Sequence, residues 1–284
     1  MALDPADFDL VCALVRREAG IVVEPGKEFM CENRLARVAT DLHVDGPAAV
    51  AALLRTRATP ELVRAVVDAM TTNETSWFRD SVPFDALRQH LLPALAARGT
   101  HEPITIWSAA SSTGQEGYSI AMTVLEHFPQ LAPQIRIVGT DISHEAVAKA
   151  KAGRYSQFEI NRGLPAIMMV KHFTQKGGEW EVKPELRRMV SFQQMNLLGT
   201  WLGAPTRADI VFLRNVLIYF DLPTKRQVLA GVRRVMRDGV LILGSAEMLT
   251  NVDDDYERVT YGRLAAYRAR TYTAATMRIQ VLHA

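Results

Sequence analysis

The sequence predicts an α/β fold, a mainly parallel sheet flanked by helices and preceded by an all-helical N-terminal region. Three observations carry this. Up to about residue 70, apolar residues recur only at helical spacing, most clearly at Leu62, Val63, Val66, Val67 and Met70. From residue 104 onward, short apolar runs at 104–107, 135–141, 190–192, 209–213 and 240–243 alternate with helical patterns. Several of those runs end in polar residues, as strands do whose carboxyl ends edge a ligand crevice.

The helical region, 1–70, opens with Asp4 as cap, Pro5 in the first position and a stripe of Phe8, Val11 and Val15 that Gly20 ends. A second helix is expected over 26–42 with Phe29, Met30, Leu35 and Val38 inward, and a third over 48–57. Thr59-Pro60 opens the fourth. Eight Arg/Lys stand against eleven Asp/Glu through Met70, a net of −3, so this region is not basic. Arg34 and Arg37 share a helix face, which reads either as a site for an acidic partner or as a solvated mixed-charge surface.

The connecting stretch 71–85 holds Trp77 and Phe78 side by side among polar residues. Two readings are open for this aromatic pair: a lid over a flat ligand, or an anchor of the loop to the core. A helix over 83–97 follows. The stretch 104–122 then reads as a buried strand, a turn of small residues from Ser108 to Gly114, and a helix with Tyr118, Met122 and Leu125 on one face. Such a turn lets backbone approach a ligand, and the free N–H groups of the helix start face it.

Asp141 ends the second strand, 27 positions past Gly114, where a carboxylate can accept from both ribose hydroxyls of a nucleoside. Ser143 is available to cap the next helix, over 145–151, which stops near Gly153. A Gly177-Gly178 turn indicates a hairpin within a small insertion at about 172–192. Asn196 falls just past the third strand, near where an adenine edge would lie. Arg214 to Phe220 follow the fourth strand, Pro223-Thr224 start a helix, Arg237-Asp238-Gly239 form a turn, and 262–267 alternates as a last, antiparallel strand. The tail after Arg270 has no reading. The expected partition is therefore 1–70, a linker at 71–85 contributing to the site, and a catalytic domain over 86–284.

Bulk properties exclude several classes. With 48% hydrophobic and 23% charged residues the chain is an ordinary soluble globular protein. There is no apolar run of membrane-spanning length and no signal-peptide pattern, so a cytoplasmic location without membrane insertion is expected. Cys12 and Cys31 sit in helical patterns and read as buried thiols. A net charge of +2 does not indicate nucleic-acid binding, and no two of the seven histidines have metal-ligand spacing.

The turn S-S-T-G-Q-E-G at 111–117 lacks the lysine of a phosphate-binding loop, and Glu116 would repel a pyrophosphate. A cationic nucleoside without phosphate fits better. S-adenosylmethionine offers a ribose for Asp141, an amino group for Glu116 and a sulfonium, which favours a methyltransferase.

The motifs T-T-N-E-T-S-W-F-R-D at 71–80, W-S-A-A-S-S-T-G-Q-E-G-Y-S-I-A-M at 107–122, N-L-L at 196–198 and F-L-R-N-V-L-I-Y-F at 212–220 resemble the chemotaxis receptor protein-glutamate O-methyltransferases of the CheR type. The resemblance spans essentially the whole chain. It implies a Rossmann-like S-adenosylmethionine methyltransferase domain with an all-helical receptor-recognition domain and a small β hairpin insertion. It also implies that Asn73, Thr75, Arg79, Glu116, Asp141, Asn196, Leu197, Arg214 and Asn215, with Gly114 at the turn, bind S-adenosylmethionine and its product S-adenosylhomocysteine, without a metal. Three departures stand out: Gly117 replaces the usual proline, Gly244-Ser245-Ala246-Glu247 stands where G-H-S-E is common, and the hairpin at Gly177-Gly178 is short. The short hairpin argues for direct recognition of the cytoplasmic receptor helices, without tethering through a C-terminal pentapeptide, by a monomeric enzyme.

The implied reaction forms a glutamyl methyl ester in sensory adaptation. The acceptor carboxylate is ionised at neutral pH, so alignment and desolvation, worth up to about 7–11 kcal/mol, would carry most of the rate. Arg79 or Arg214 could orient that carboxylate bidentately and Tyr219 could donate to it; for both arginines a buried salt bridge is the competing reading. Two rival functions are a non-catalytic S-adenosylmethionine-binding module that docks on receptors, and methyl transfer to a small molecule.

Overall fold

A computed structural model describes residues 3–99, 102–236 and 238–270. His101, His283, Arg237 of the expected turn and the tail after Arg270 lie outside the described residues. The N-terminal unit is four helices, α1 (Pro5–Ala19), α2 (Glu28–Asp41), α3 (Pro47–Thr56) and α4 (Pro60–Met70). Their ends follow the capping chemistry of the sequence: Asp4 Oδ1 accepts from Asp7 N at 2.7 Å, and Thr59 Oγ1 accepts from Leu62 N at 3.3 Å. Gly20 closes α1 at φ 71°. Val11, Val15, Leu35, Val50 and Val66 are fully buried at the centre of this bundle.

One inward assignment fails here. Phe29 is 75% exposed. It lies in the first turn of α2, whose buried face is set by Cys31, Leu35 and Val38 at helical spacing. Arg34 is also not free for a partner. It caps the end of α4, donating to Met70 O (2.6 Å), Thr71 O (2.9 Å) and Thr72 Oγ1 (2.9 Å), while Arg37 remains exposed.

The helix expected over 83–97 is broken into α5 (Ser81–Ala86), a π turn (Leu87–Leu91) and α6 (Leu92–Ala96). Leu92 N bonds back to Leu87 O, and Pro93, which has no N–H, follows directly.

The main sheet contains β1 (Ile104–Ser108), β2 (Ile135–Asp141), β6 (Val190–Gln194), β7 (Ile210–Leu213), β8 (Val240–Leu243), β9 (Tyr256–Tyr261) and β10 (Leu264–Ala269), in the order β6-β2-β1-β7-β8-β10-β9. The first five run parallel; β10 and β9 run antiparallel to β8 and to each other, respectively. Sequence reading finds β10 but not β9, whose burial does not alternate strictly. Helices α7 (Gln115–His127), α8 (His144–Ala152) and α12 (Leu222–Met236) supply the crossovers.

The insertion is larger than a hairpin and starts earlier than 172. It is a three-stranded antiparallel sheet, β3 (Arg154–Tyr155), β5 (Glu179–Val182) and β4 (Phe173–Lys176), with α9 (Gln157–Asn161) and α10 (Ala166–His172) between β3 and β4. A further short helix, α11 (Pro184–Arg187), leads back to β6, which belongs to the main sheet. Two-residue β3 is too short to read from periodicity. Among the described residues no helix is long and apolar enough to cross a membrane.

Strand order reverses direction at β1: its successor β2 lies on one side and β7 on the other. In open α/β sheets that switch point is where ligands bind.

Candidate functional site

Above the carboxyl ends of β1, β2, β6 and β7 lies a crevice of about 860 Å³, counted to its open mouth. The sheet side supplies Ala109 and Ser112 after β1, Asp141 and Ile142 after β2, Met195 to Leu197 after β6, and Arg214 to Val216 after β7. Thr71 to Thr75 and Arg79 form a second wall, and Ala19 and Ile21 from the end of α1 complete it. The crevice is thus shared by the helical unit, the linker and the sheet.

Of the residues expected at the site, Asn73, Thr75, Arg79, Glu116, Asp141, Asn196, Leu197, Arg214, Asn215 and Tyr219 all line this one crevice. Gly114 does not. It sits at the N-cap of α7 with φ 96°, and a Cβ there would lie 2.8 Å from Ala150 Cβ. There it allows the close packing of the α7 start against α8.

Asp141 is 8% exposed. Its Oδ2 accepts from Ser112 N at 2.8 Å and its Oδ1 from Ser143 N at 3.0 Å, while Ser143 Oγ caps α8 by accepting from Ala146 N at 3.2 Å. Burial pushes the Asp141 carboxyl above the usual aspartate range, and the N–H groups of Ser143 and Ser112 offset this only in part. Each carboxylate oxygen keeps an acceptor direction for a hydroxyl donor.

Glu116, in the first turn of α7, is held between two partners. Ser108 Oγ donates to Oε1 at 2.7 Å and Arg214 Nη1 donates to Oε2 at 2.7 Å. Arg214 is 6% exposed, and its Nη2 donates to Arg79 O at 2.7 Å and to Asp80 Oδ2 at 3.0 Å. The buried salt bridge is therefore the arrangement of Arg214. Its Nε has no hydrogen-bond partner among the described residues. Arg79 differs: the residue is half-buried, lines the crevice and donates from Nη1 to Glu74 O at 3.2 Å.

Asn196 is engaged by the helical unit. Its Nδ2 donates to Glu18 O at 2.5 Å, and its Oδ1 accepts from Leu198 N at 2.9 Å. Together with the Arg16–Asp221 pair (2.6 Å) and the Val22 N to Tyr219 O bond (2.9 Å), this fixes the end of α1 over the crevice.

Trp77 and Phe78 form no lid. Trp77 is 1% exposed, donates from Nε1 to Glu159 O at 3.0 Å, and packs edge-on against Tyr155 (4.9 Å) and Phe173 (5.2 Å). Phe78 packs on Phe84 at 5.3 Å. The pair anchors the linker, so that Asn73 to Thr75 rather than the aromatics face the crevice.

Sequence reasoning missed Ser108, Ser112, Asp80 and Glu247. Ser112 donates from Oγ to Asn73 O at 2.7 Å, tying the linker to the β1 turn. Its position in the small-residue turn was a signal, and Asp80 and Glu247 lie in the 71–80 and 244–247 stretches already singled out; what the sequence did not show is their partners, which come from across the fold.

The lining carries three carboxylates, Glu74, Glu116 and Asp141, against two guanidinium groups, Arg79 and Arg214. This net negative charge, the buried Asp141 with acceptor capacity to spare and the small residues at Ala109 and Ala110 fit a cationic nucleoside such as S-adenosylmethionine. Among the described residues no cluster of potential ligands could hold a metal ion.

Comparison with known proteins agrees with this geometry. The family model for the CheR methyltransferase SAM binding domain matches residues 73–264, and that for the CheR methyltransferase all-alpha domain matches residues 6–71. Chemotaxis protein methyltransferase 1 of Pseudomonas aeruginosa is 37% identical over 95% of this chain and 100% of its own length. Chemotaxis protein methyltransferase 1 of Vibrio cholerae is 40% identical over 87% of this chain and 91% of its own. The chemotaxis protein methyltransferase of Salmonella typhimurium is 33% identical, covering 89% and 87% respectively. The chain belongs to the CheR methyltransferase family, with its all-alpha domain joined to its SAM binding domain.

Proposed function

We propose that this protein transfers the methyl group of S-adenosyl-L-methionine to glutamate side chains of chemotaxis receptors, leaving glutamyl methyl esters and S-adenosyl-L-homocysteine. The observation that carries this is the convergence of five distant stretches, 73–79, 116, 141, 196–197 and 214–219, on one crevice at the sheet's switch point. The relatives' names supply the chemotaxis context.

Asp141 accepts hydrogen bonds from the ribose hydroxyls. Glu116 accepts from the amino group of the methionyl arm, held in place by Ser108 and Arg214. When bound, the sulfonium supplies an activated methyl group for in-line attack by a carboxylate oxygen. Arg79 and Tyr219 both line the crevice, the guanidinium as the group that orients that carboxylate and the Tyr219 hydroxyl as a donor to it. No side chain here needs to remove a proton, because the acceptor is already ionised. Alignment by the walls and exclusion of water supply the rate.

The receptor's helical cytoplasmic domain is recognised directly, without tethering through a C-terminal pentapeptide. Support comes from the small sheet, where β4 and β5 are four residues each and close through Gly177 and Gly178 at φ 56° and 86°, a minimal turn. Incubation with methyl-labelled cofactor and a panel of receptor cytoplasmic fragments tests the reading. Base-labile label in the receptor is the expected result. Bound cofactor with no transfer to any fragment would overturn it in favour of a docking module.

A further inference from the structure

The loop after β8 reaches back to the crevice through one side chain. Glu247 Oε2 accepts from Asn215 N at 2.7 Å and from Gly244 N at 2.8 Å. Its Oε1 accepts from Val216 N at 3.0 Å and from Ile218 N at 3.2 Å. A single carboxylate thus gathers four backbone N–H groups, three of them from the segment between Arg214 and Tyr219. That segment is not a regular helix and cannot satisfy these donors itself. It carries Asn215, Val216 and Tyr219 into the crevice, whereas Glu247 does not line it.

Two further features show how closely the turn is specified. Asn215 has φ 57°, a left-handed conformation uncommon for residues with a Cβ and tolerated best by Asn among them. Gly244 stands so near that a Cβ on it would lie 2.6 Å from Asn215 Nδ2 and 2.8 Å from Glu247 Oε2. The β8 loop and the β7 turn therefore meet at backbone distance, with the carboxylate as the link. Charge-assisted bonds to N–H groups are the strong kind, and an amide in place of the acid would turn one of its two acceptors into a donor facing donors.

We infer that Glu247 is a positioning residue for the methyl-transfer site: it sets the Asn215–Tyr219 turn, and through it the wall that meets the cofactor and the acceptor. The inference rests on the reading of the crevice as the S-adenosylmethionine site. Glu247 itself touches neither reactant. It acts by holding Asn215 in its left-handed conformation and by fixing where the Tyr219 side chain stands.

The test compares Glu247→Gln and Glu247→Asp with the wild-type protein. It reads S-adenosylhomocysteine affinity by calorimetry, amide hydrogen exchange by mass spectrometry, and the thermal midpoint. Glu247→Gln is expected to weaken product affinity at least fivefold and to accelerate exchange at least tenfold over 214–219 and at 244, with β1 and β2 unchanged. Glu247→Asp, which keeps the charge but shortens the reach, falls between the two. Affinity within twofold of wild type for Glu247→Gln overturns the inference. So does exchange that rises equally across the whole sheet, since that is the mark of a residue needed only for stability. Transfer to receptor fragments is measured on the wild-type protein alone, so failure of the proposed acceptor is seen separately from failure of this role.

Discussion

Arg214 Nη1 lies 2.7 Å from Glu116 Oε2, joining the end of β7 to the first turn of α7 across the switch point of the sheet. Both side chains are buried, with relative side-chain exposures of 2% and 11%. Removing Glu116 leaves Arg214 with Asp80 and the Arg79 carbonyl as its remaining partners, so the cost falls below the roughly 3–5 kcal/mol of a fully stranded buried charge. Glu116→Ala is therefore expected to lower unfolding free energy by about 1–3 kcal/mol, the scale of a lost hydrogen bond to a charged group, read by chemical denaturation. Glu116→Gln combined with Arg214→Met should cost less than the sum of the single changes, because the pair is removed together.

Asp141 should give cofactor binding a pH dependence of known sign. Burial raises its carboxyl above the usual aspartate value. The native state therefore binds more protons than the unfolded chain between that usual value, about 3.9, and the raised one, so this group's contribution to stability falls as pH rises through the window. In the proposed role the ionised form is the acceptor for ribose hydroxyls, so affinity should rise over the same range. Calorimetry with S-adenosylhomocysteine on either side of the window checks this. Asp141→Asn should lose at least about tenfold in affinity, the scale of one hydrogen bond to a charged group, together with the pH dependence.

Trp77 separates an anchor from a lid. Trp77→Ala empties a fully buried site against Tyr155 and Phe173 and should cost about 3–5 kcal/mol in thermal or chemical unfolding. Trp77→Phe keeps most of the packing and forfeits the bond to Glu159 O. It should cost about 1–3 kcal/mol while leaving product affinity within twofold of wild type.

Gly114→Ala tests the tight start of α7. The residue holds φ 96°, and the new Cβ would press on Ala150 Cβ at 2.8 Å. Left-handed backbone costs a residue with a Cβ about 1–2 kcal/mol before any clash is counted, so the melting temperature should fall. Calorimetry is then expected to show weaker product binding only to the extent that the displaced α7 start moves Glu116.

Asn196 ties the helical unit to the sheet. Asn196→Ala leaves Glu18 O and Leu198 N without their partner, about 1–3 kcal/mol if they stay buried. Faster amide exchange at the end of α1 and over 196–198, with the β7–β8 pair unaffected, is the expected outcome.

Much of this molecule was legible in the chain. Helical spacing of Leu62, Val66 and Met70, the caps at Asp4, Thr59 and Ser143, and the apolar runs of β1, β2, β7 and β8 are local signals, because they depend on backbone periodicity and on side chains bonding within three or four positions. The motifs around Asn73, Glu116 and Arg214 and the strand-end position of Asp141 singled out residues that line one crevice.

Only the tertiary structure decided what each polar group is bonded to. Arg34 became a cap for α4, Arg214 a buried ion pair, Trp77 an anchor, and Glu247 the acceptor for a turn 32 residues away in the chain from its Asn215 partner. Sequence determines which donors and acceptors exist and which segments alternate. Their pairing depends on distances set by the packed sheet and its crossovers, and burial makes an unpaired group costly, which is why most buried polar groups find a partner.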